Sequence, residues 1–267
     1  MRMRNPAQMK GLVKNVAAGL GVPANVALHM YVMERFIDRI SRSEYRDRFV
    51  LKGGFLLYSI KGMDRRTTED LDMTSKTLDV TEDELTPVIR RICGTDADDD
   101  FVMEIVKVET VAELLEHPGL RYFIDATYGV KERFYIDIVP SPQIVPEEVN
   151  HDIVPMFGDK PISIMAYRLE TVIAEKLHAA LTRADENTRM RDYYDFYVLD
   201  HDGGFDDDVL TKATEYAFES RGTVNSLNDW ENILEHIRGS HTMNTLWLAY
   251  QKGHVYAGSI SFEDACD

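Results

Sequence analysis

The hydrophobic pattern of the chain changes its period near residue 146, and this change constrains the fold more than any other feature. Before it, helical segments alternate with short segments in which every second residue is apolar, such as "DLDMTS" (70–75) and "ERFYIDIVP" (132–140). After it, apolar residues recur at steps of three and four. A period of two predicts strands, and steps of three and four predict helices. The sequence therefore predicts a mixed α/β half followed by a helical half.

Three prolines mark the change: Pro140, Pro142 and Pro146. Proline interrupts both helices and central strands, so a boundary is expected close to them. We place an α/β lobe over residues 1–155 and a helical C-terminal lobe over 156–267. In the second lobe, "ISIMAYRLETVIAEKLHAALTR" is predicted to form one long helix, and "RMRDYYDFYVLDH" begins another.

The composition limits where the protein works and what it binds. The chain has 46 acidic and 30 basic residues and a formal net charge of −16, so its body repels nucleic acid at long range, and a nucleic-acid partner would need a local basic patch. Its two cysteines, far apart in sequence, fit neither a disulfide framework nor a zinc pattern, and they suit a reducing cytosol. No apolar run approaches membrane-spanning length. We therefore expect a cytoplasmic protein without membrane association.

Two aspartates stand two residues apart in the strand-like segment "DLDMTS". Side chains at i and i+2 of a strand point to the same face, so Asp70 and Asp72 are expected side by side. Two such close carboxylates repel each other unless a cation lies between them, and Mg²⁺ prefers oxygen ligands of this kind. An exposed Asp-x-Asp without function is the common alternative, and the pattern alone leaves it open.

A glycine pair precedes these aspartates in "LKGGFLL". Gly53 and Gly54 lie where a strand turns into a helix, so the backbone there can approach a phosphate closely. The N-terminus of the following helix favours an anion. Together with Asp70 and Asp72, the glycines predict a site for a nucleoside triphosphate.

A third aspartate, Asp137, stands in the middle of the apolar strand "RFYIDIV". A buried carboxylate there is costly without a partner. It either pairs with a backbone group or an arginine, or it lies beside Asp70 and Asp72 and completes a metal site.

The helical half contains two polar clusters. Lys176 lies among apolar residues in "AEKLHAALTR" and shares a helix face with Arg183. The segment "RMRDYYDFY" carries Arg191, Asp192 and Asp195 among tyrosines. Each has a plain structural alternative. For Lys176 it is a lysine that lies along an apolar surface and pairs with Glu175 or another neighbour, and for the second segment it is a helix start with ion pairs.

Taken together, these segments resemble the nucleotidyltransferase toxins of the abortive-infection AbiE type, encoded in bacterial toxin–antitoxin operons. The similarity lies in motif order and spacing and extends over roughly residues 10–200. "LKGGFLL" with the later pattern R-x-T-x-D-L-D is similar to the family's first motif and "YID" to its second. "AEKLHAALTR" and "RMRDYYDFY" are similar to the third and fourth.

The resemblance implies an α+β fold: a polymerase-β-like nucleotidyltransferase core with a small mixed sheet, followed by a helical lobe. It implies Mg²⁺-dependent transfer of a nucleotide from a nucleoside triphosphate to an acceptor, with transfer RNA as the expected acceptor. A cognate antitoxin is the implied partner, and phage defence by abortive infection is the implied role. The basic residues in the motifs would supply the local patch: Lys52, Arg65, Arg66, Lys176, Arg183, Arg189 and Arg191.

The resemblance also assigns roles to residues. The expected catalytic residues are Asp70, Asp72, Lys176 and Asp192. The expected metal ligands are Asp70, Asp72 and Asp137. The expected nucleotide-binding residues are Gly53, Gly54, Arg66, Thr68, Lys176 and Arg191. Whether Asp192 acts as a base or orients Lys176, and what distinguishes it from Asp195, the sequence leaves open.

Two other functions fit the same motifs. The chain could transfer the nucleotide to a protein hydroxyl, which suits an acidic surface better than RNA does. It could also be a silent nucleotide-binding module, although all the candidate ligands are present. Labelled nucleotides offered with RNA or with cell protein would separate the three.

Overall fold

The structure is a computed structural model that divides the chain into two compact units. It describes residues 2–62, 67–76, 79–111, 118–141 and 143–267. The first unit comprises Met1–Ile144 and Glu148–Tyr167, and the second comprises Val145–Glu147 and Arg168–Asp267. The domain boundary expected between residues 155 and 156 stays a prediction.

Within the described residues, seven strands form one mixed sheet in the first unit. The strands are β1 (Phe49–Lys52), β2 (Asp70–Ser75), β3 (Val102–Val111), β4 (Gly119–Thr127), β5 (Lys131–Pro140), β6 (Val149–Ile153) and β7 (Ile162–Ala166). Their order across the sheet is β3-β4-β5-β2-β1-β7-β6. The pairs β2–β5 and β1–β7 are parallel, and the other neighbours are antiparallel. The strands that carry the three predicted aspartates are therefore direct neighbours at the centre of the sheet.

The strands β2 and β5 bury one face and leave the other half-buried. Leu71, Met73 and Ile136 are fully buried, whereas the residues between them are partly accessible. The buried face packs against helix α2, where the rings of Phe36 and Phe134 lie 5.5 Å apart. This alternation is why the aspartates at positions i and i+2 share the accessible face.

The helices of the first unit are α1 (Pro6–Leu20), α2 (Ala24–Arg42), α3 (Gly53–Lys61) and α4 (Glu82–Cys93). Every residue of α2 from position 31 to position 40 is buried, including four charged ones. Arg35 donates to Glu34 at 2.7 Å and to Asp38 at 2.9 Å. A buried charge is tolerated when it is paired in this way, so α2 serves as a central helix rather than one with a single buried face.

The segment from Ile162 to Arg183 is not one helix, and that prediction was wrong. Residues Ile162–Ala166 form strand β7, and the helix α5 begins only at Leu169. Ile162, Ile164 and Ala166 are buried on one face of this strand. Because β7 lies between β1 and β6, its backbone groups are satisfied by the sheet, and this favours the strand over a helix.

The second unit is helical. Its helices are α5 (Leu169–Arg183), α6 (Met190–Asp202), α7 (Asp207–Glu219), α8 (Val224–Asn228), α9 (Trp230–Gly239) and α10 (His241–Gly253). Its main core includes the buried residues Tyr193, Met243, Trp247 and Phe262. The Trp247 indole N–H donates to the Ile260 carbonyl at 2.9 Å, so this buried polar group is satisfied.

The fold class expected from the sequence is confirmed: an α+β arrangement with a mixed sheet is followed by helices. Among the described residues, no single helix is long and apolar enough to cross a membrane. In the same part of the chain, the helices α1 and α2 are long and apolar enough when taken together, but the chain bends by 115° between them.

Candidate active site

Three carboxylates meet on the accessible face of the sheet. Asp70 and Asp72 lie on β2, and Asp137 lies directly opposite Asp72 on the neighbouring parallel strand β5. One carboxylate oxygen of each residue lies within 4.8 Å of the others, and all three residues are half-buried. The structure thus brings together the three aspartates that the sequence singled out.

Gly53 lies against this cluster. Its φ is +64°, a conformation that L side chains rarely adopt. A Cβ added to it would lie 2.8 Å from the Cβ and Cγ atoms of Asp72 and closer still to Oδ2. Glycine is therefore needed here for two separate reasons: the backbone conformation and the space that the Asp72 carboxylate occupies.

Side-chain hydrogen bonds fix the orientation of two of the carboxylates. The Thr68 hydroxyl, which is buried, donates to Asp70 Oδ1 at 2.8 Å. Arg121 on β4 donates from Nε and from a terminal nitrogen to the two oxygens of Asp137, each at 2.6 Å. These bonds raise the pKa of Arg121, so the guanidinium stays charged and holds Asp137 in one rotamer.

Arg121 was missed by the sequence analysis, although the sequence contains the signal for it. The segment "YGV" forms the turn between β4 and β5, and Thr127 pairs with Lys131 across it. In an antiparallel hairpin without a bulge, the residue numbers of every cross-strand pair add up to the same value. Counting back from the turn places Arg121 opposite Asp137, which is the pairing found.

Helix α3 begins directly at the end of β1, next to the carboxylates. Its N-cap residue, Lys52, pairs in register with Asp72. The lysine side chain has no acceptor with which to cap the first backbone N–H groups of the helix. The Lys52 Nζ atom lies 5.4 Å from the centre of the Tyr167 ring. A helix start of this kind, with a nearby cation, suits a phosphate group.

The three carboxylates fit a divalent cation by their chemistry. They offer only oxygen ligands, which hard cations such as Mg²⁺ prefer. Three like charges this close also favour a bound cation between them. The hydrogen bonds to Asp70 and Asp137 leave lone pairs free on the carboxylate oxygens, so these residues can still act as ligands.

A second polar cluster lies in the helical unit. Lys176 on α5 forms ion pairs with Asp192 and Asp195 on α6, the second at 2.9 Å. The two aspartates are buried and the lysine is nearly so. The second oxygen of Asp192, Oδ2, is also buried, and among the described residues it has no hydrogen-bond partner. Lys176 is thus paired with neighbouring carboxylates, as the structural alternative expected, although it does not extend into solvent. Its role toward phosphate stays a prediction.

The other residues expected at the site divide into three groups. Gly54 is buried in the first turn of α3. Arg191 lies half-buried on α6, one residue before Asp192. Arg66 lies outside the described residues, as does its neighbour Arg65. The roles of Gly54, Arg66 and Arg191 as nucleotide ligands stay predictions.

Comparison with known proteins yields one family. The model described as "Nucleotidyl transferase AbiEii toxin, Type IV TA system" matches residues 35–267. Among solved structures, the chain is similar to an antigenic nucleotidyltransferase-like protein from Paracoccidioides brasiliensis. That similarity has 12% sequence identity and a TM-score of 0.35, and it covers 86% of this chain and 91% of that one. No curated protein sequence matches.

Proposed function

The chain belongs to the AbiEii family of nucleotidyl transferase toxins of type IV toxin–antitoxin systems, and from this premise we propose a specific reaction. The protein transfers a nucleotide from a nucleoside triphosphate to transfer RNA and releases pyrophosphate, with Mg²⁺ as cofactor. The site for this reaction is centred on Asp70, Asp72 and Asp137.

The observation that carries the proposal is the meeting of these three carboxylates beside the N-terminus of α3. Their oxygens lie within 4.8 Å of one another on adjacent strands. The backbone turn at Gly53 lies against one of them. A carboxylate cluster beside a helix N-terminus suits a metal-bound triphosphate, because the carboxylates can bind the metal and the helix N-terminus can bind the phosphates.

Asp70, Asp72 and Asp137 would hold Mg²⁺, which neutralises the charge that develops on the phosphoryl group during transfer. Thr68 and Arg121 keep two of these carboxylates in place by hydrogen bonds. The acceptor hydroxyl oxygen bonds to the α-phosphorus, and the bond to the pyrophosphate oxygen breaks. The hydroxyl proton passes to a carboxylate, for which Asp137 is our candidate.

Phosphate binding is assigned to two further groups of atoms. The first backbone N–H groups of α3 point away from the helix and can donate to phosphate oxygens. Lys176 and Arg191 are the cations that the family resemblance implies for the phosphates. Lys176 is held by Asp192 and Asp195, so Asp192 acts as a positioning residue for it in this proposal.

Two acceptors remain candidates, and the net charge bears on the choice. A formal charge of −16 favours a protein hydroxyl as the acceptor over RNA, because long-range repulsion slows the approach of a polyanion. The family resemblance favours transfer RNA. We place transfer RNA first, since a local surface and not the total charge determines the final contact.

In the cell, we propose that the protein acts in the cytoplasm and arrests growth during phage infection. A cognate antitoxin would restrain it at other times. An enzyme that inactivates one essential acceptor molecule per turnover can stop growth at low copy number.

The proposal is tested by following the transfer directly. Each labelled nucleoside triphosphate is incubated with the protein and Mg²⁺, together with purified transfer RNA or with cell protein, and the labelled product is identified. We expect label in transfer RNA from the parent and none from Asp72→Asn. The variant keeps the shape of the side chain but removes its charge, so it should lose the metal.

The matched control is Asp159→Asn, the same change at an exposed position of the first unit. It should transfer like the parent. Label in protein alone would replace the RNA acceptor with a protein acceptor. Full activity of a folded Asp72→Asn variant would contradict the site itself.

A further inference from the structure

The half-buried face of the sheet continues beyond the carboxylates onto β4 and β3, and two aromatic side chains lie on it. Phe123 on β4 and Tyr135 on β5 are cross-strand partners. Their ring centres lie 5.8 Å apart, and both residues are partly accessible. Large rings left half-exposed at the centre of a sheet are a candidate contact surface.

Each ring has a cation beside it. The Arg121 guanidinium carbon lies 4.2 Å from the centre of the Tyr135 ring, and Lys107 Nζ lies 5.5 Å from the centre of the Phe123 ring. The side chain of Lys107 is 59% exposed and that of Arg121 30%. We call Lys107, Arg121, Phe123 and Tyr135 the aromatic face. It combines flat apolar surface with donors that can reach a phosphate.

The aromatic face adjoins the carboxylates in register. Tyr135 pairs with Asp70 across β2 and β5, so one strand spacing of about 4.8 Å separates their backbones.

The strand order gives the carboxylates two different sides. On one side, β1 leads into Gly53 and the N-terminus of α3, where the triphosphate is expected. On the other side lie β4 and β3 with the aromatic face. A group transfer needs its donor and acceptor on opposite sides of the reacting phosphorus, because attacking and leaving oxygens lie roughly in line.

We propose that the aromatic face binds the acceptor, and that this acceptor is a single-stranded end of a nucleic acid. This inference rests on the proposed function and names the acceptor surface of that same site. An unpaired base would stack on Tyr135 or Phe123, since every base has a flat π face. Lys107 and Arg121 would contact the backbone phosphates next to it.

The cations on and around this face are paired with carboxylates, so base stacking rather than charge would supply most of the affinity for RNA. Within the aromatic face, Lys107 pairs with Glu109 and Arg121 pairs with Asp137. Beside it, Lys131 and Arg133 pair with Asp125. These pairs offset one another, so the face neither strongly attracts nor strongly repels a polyanion. A duplex presents its phosphates but hides the faces of its bases, so it lacks the contact that this surface offers.

The test measures binding of a labelled single-stranded RNA with a free 3′ hydroxyl, and of the same RNA annealed to its complement. The variants are Phe123→Leu and Tyr135→Leu, which keep apolar bulk but remove the ring. We expect each to weaken single-strand binding by roughly 5- to 150-fold, the range for one stacked base. The KM for the RNA acceptor should rise in parallel, while binding of the nucleoside triphosphate should stay unchanged.

Trp230→Leu is the matched control, because Trp230 is an aromatic residue of the helical unit with 46% exposure. It should bind the RNA like the parent. Parental RNA binding by both folded test variants would overturn the proposal, as would stronger binding of the duplex. Loss of triphosphate binding instead would assign the rings to the incoming base and also overturn it.

Failure of this proposal can be told apart from failure of the proposed function. If the parent labels only protein, the RNA surface is wrong while nucleotide transfer stands. If a folded Asp72→Asn variant transfers normally, the carboxylate site is wrong whatever the RNA measurements give.

Discussion

At the scale of single residues, the site depends on the missing side chain of Gly53 as much as on the carboxylates. Gly53 has no Cβ, and the carboxylate of Asp72 occupies that space. The same glycine has a positive φ at the start of α3. Position 53 therefore couples the geometry of a backbone turn to the placement of a side chain on the next strand.

We predict that Gly53→Ala lowers the free energy of unfolding by about 2–3 kcal/mol, because strain from the positive φ adds to the overlap with Asp72. Nucleotide transfer should be lost, since Asp72 must move to admit the methyl group. Chemical denaturation and the transfer assay measure the two effects separately.

Gly21→Ala provides the control for backbone strain. Gly21 has a φ of +67°, and a Cβ added there meets nothing within 4 Å. This variant should lose only about 1–2 kcal/mol, from the left-handed conformation alone, and keep its activity. Equal losses of stability and activity in both variants would mean that the overlap with Asp72 has no effect of its own.

At the scale of elements, the sequence predicts the parts of the site that local patterns determine. The alternation in β2 and β5 places Asp70, Asp72 and Asp137 on one face, whatever the order of the strands. That β2 and β5 are neighbours is a long-range property, which no local period contains. The buried carboxylate of Asp137 left two alternatives open, and the resemblance to a known family favoured the one beside Asp70 and Asp72.

The element predicted wrongly from the sequence is one whose secondary structure depends on tertiary contacts. The residues Ile162–Ala166 continue without a break into an apolar helix pattern, and a strand of five residues is too short to show a clear period. The backbone hydrogen bonds that this segment forms with β1 and β6 stabilise it as a strand. The pairing of Arg121 with Asp137, in contrast, could have been derived from the hairpin alone.

A prediction at this scale concerns the contact between α5 and α6. Lys176→Met removes the cation that pairs with the buried Asp192 and Asp195. We expect the free energy of unfolding to fall by about 3 kcal/mol, because buried carboxylates lose their counter-charge. Transfer should also be lost, because the family resemblance assigns Lys176 to phosphate. Denaturation curves and the transfer assay measure both.

A second substitution separates stability from activity. Adding Asp195→Asn to Lys176→Met removes one of the two uncompensated charges, so stability should partly recover. Transfer should not recover, because the cation is still missing. If transfer returned together with stability, Lys176 would have only a structural role.

At the scale of the whole molecule, the net charge of −16 repels RNA at long range, whatever contacts the site offers at short range. Several exposed cations of the first unit are already paired with carboxylates, for example Arg2 with Asp100 and Arg133 with Asp125. Such a surface gives little steering toward RNA. Contacts at short range must then supply the affinity for the acceptor.

The prediction for the whole molecule is growth arrest that depends on the site. Induced expression of the parent in cells without an antitoxin should stop growth, because the proposed nucleotide transfer would inactivate an essential acceptor. Expression of Asp72→Asn at the same level should not stop growth. Growth curves and immunoblots measure the effect and the protein level.

Asp159→Asn should arrest growth like the parent, which controls for the loss of one negative charge. Harmless expression of the folded parent would contradict the toxin assignment for this chain. Equal toxicity of Asp72→Asn would show that the arrest arises from something other than nucleotide transfer.

The strand order also has a consequence for synthesis on the ribosome. Asp72 leaves the ribosome long before its neighbour in the sheet, Asp137, because β3 and β4 are translated between them. The chain grows at about 5–20 residues per second, so the third carboxylate follows several seconds after the second. Strand β7, the second neighbour of β1, is translated later still. The helix α5, which carries Lys176, follows it. A nascent chain therefore lacks the assembled carboxylate site until β5 has left the ribosome, so the cell that makes this toxin is not exposed to its activity while the earlier strands are being translated.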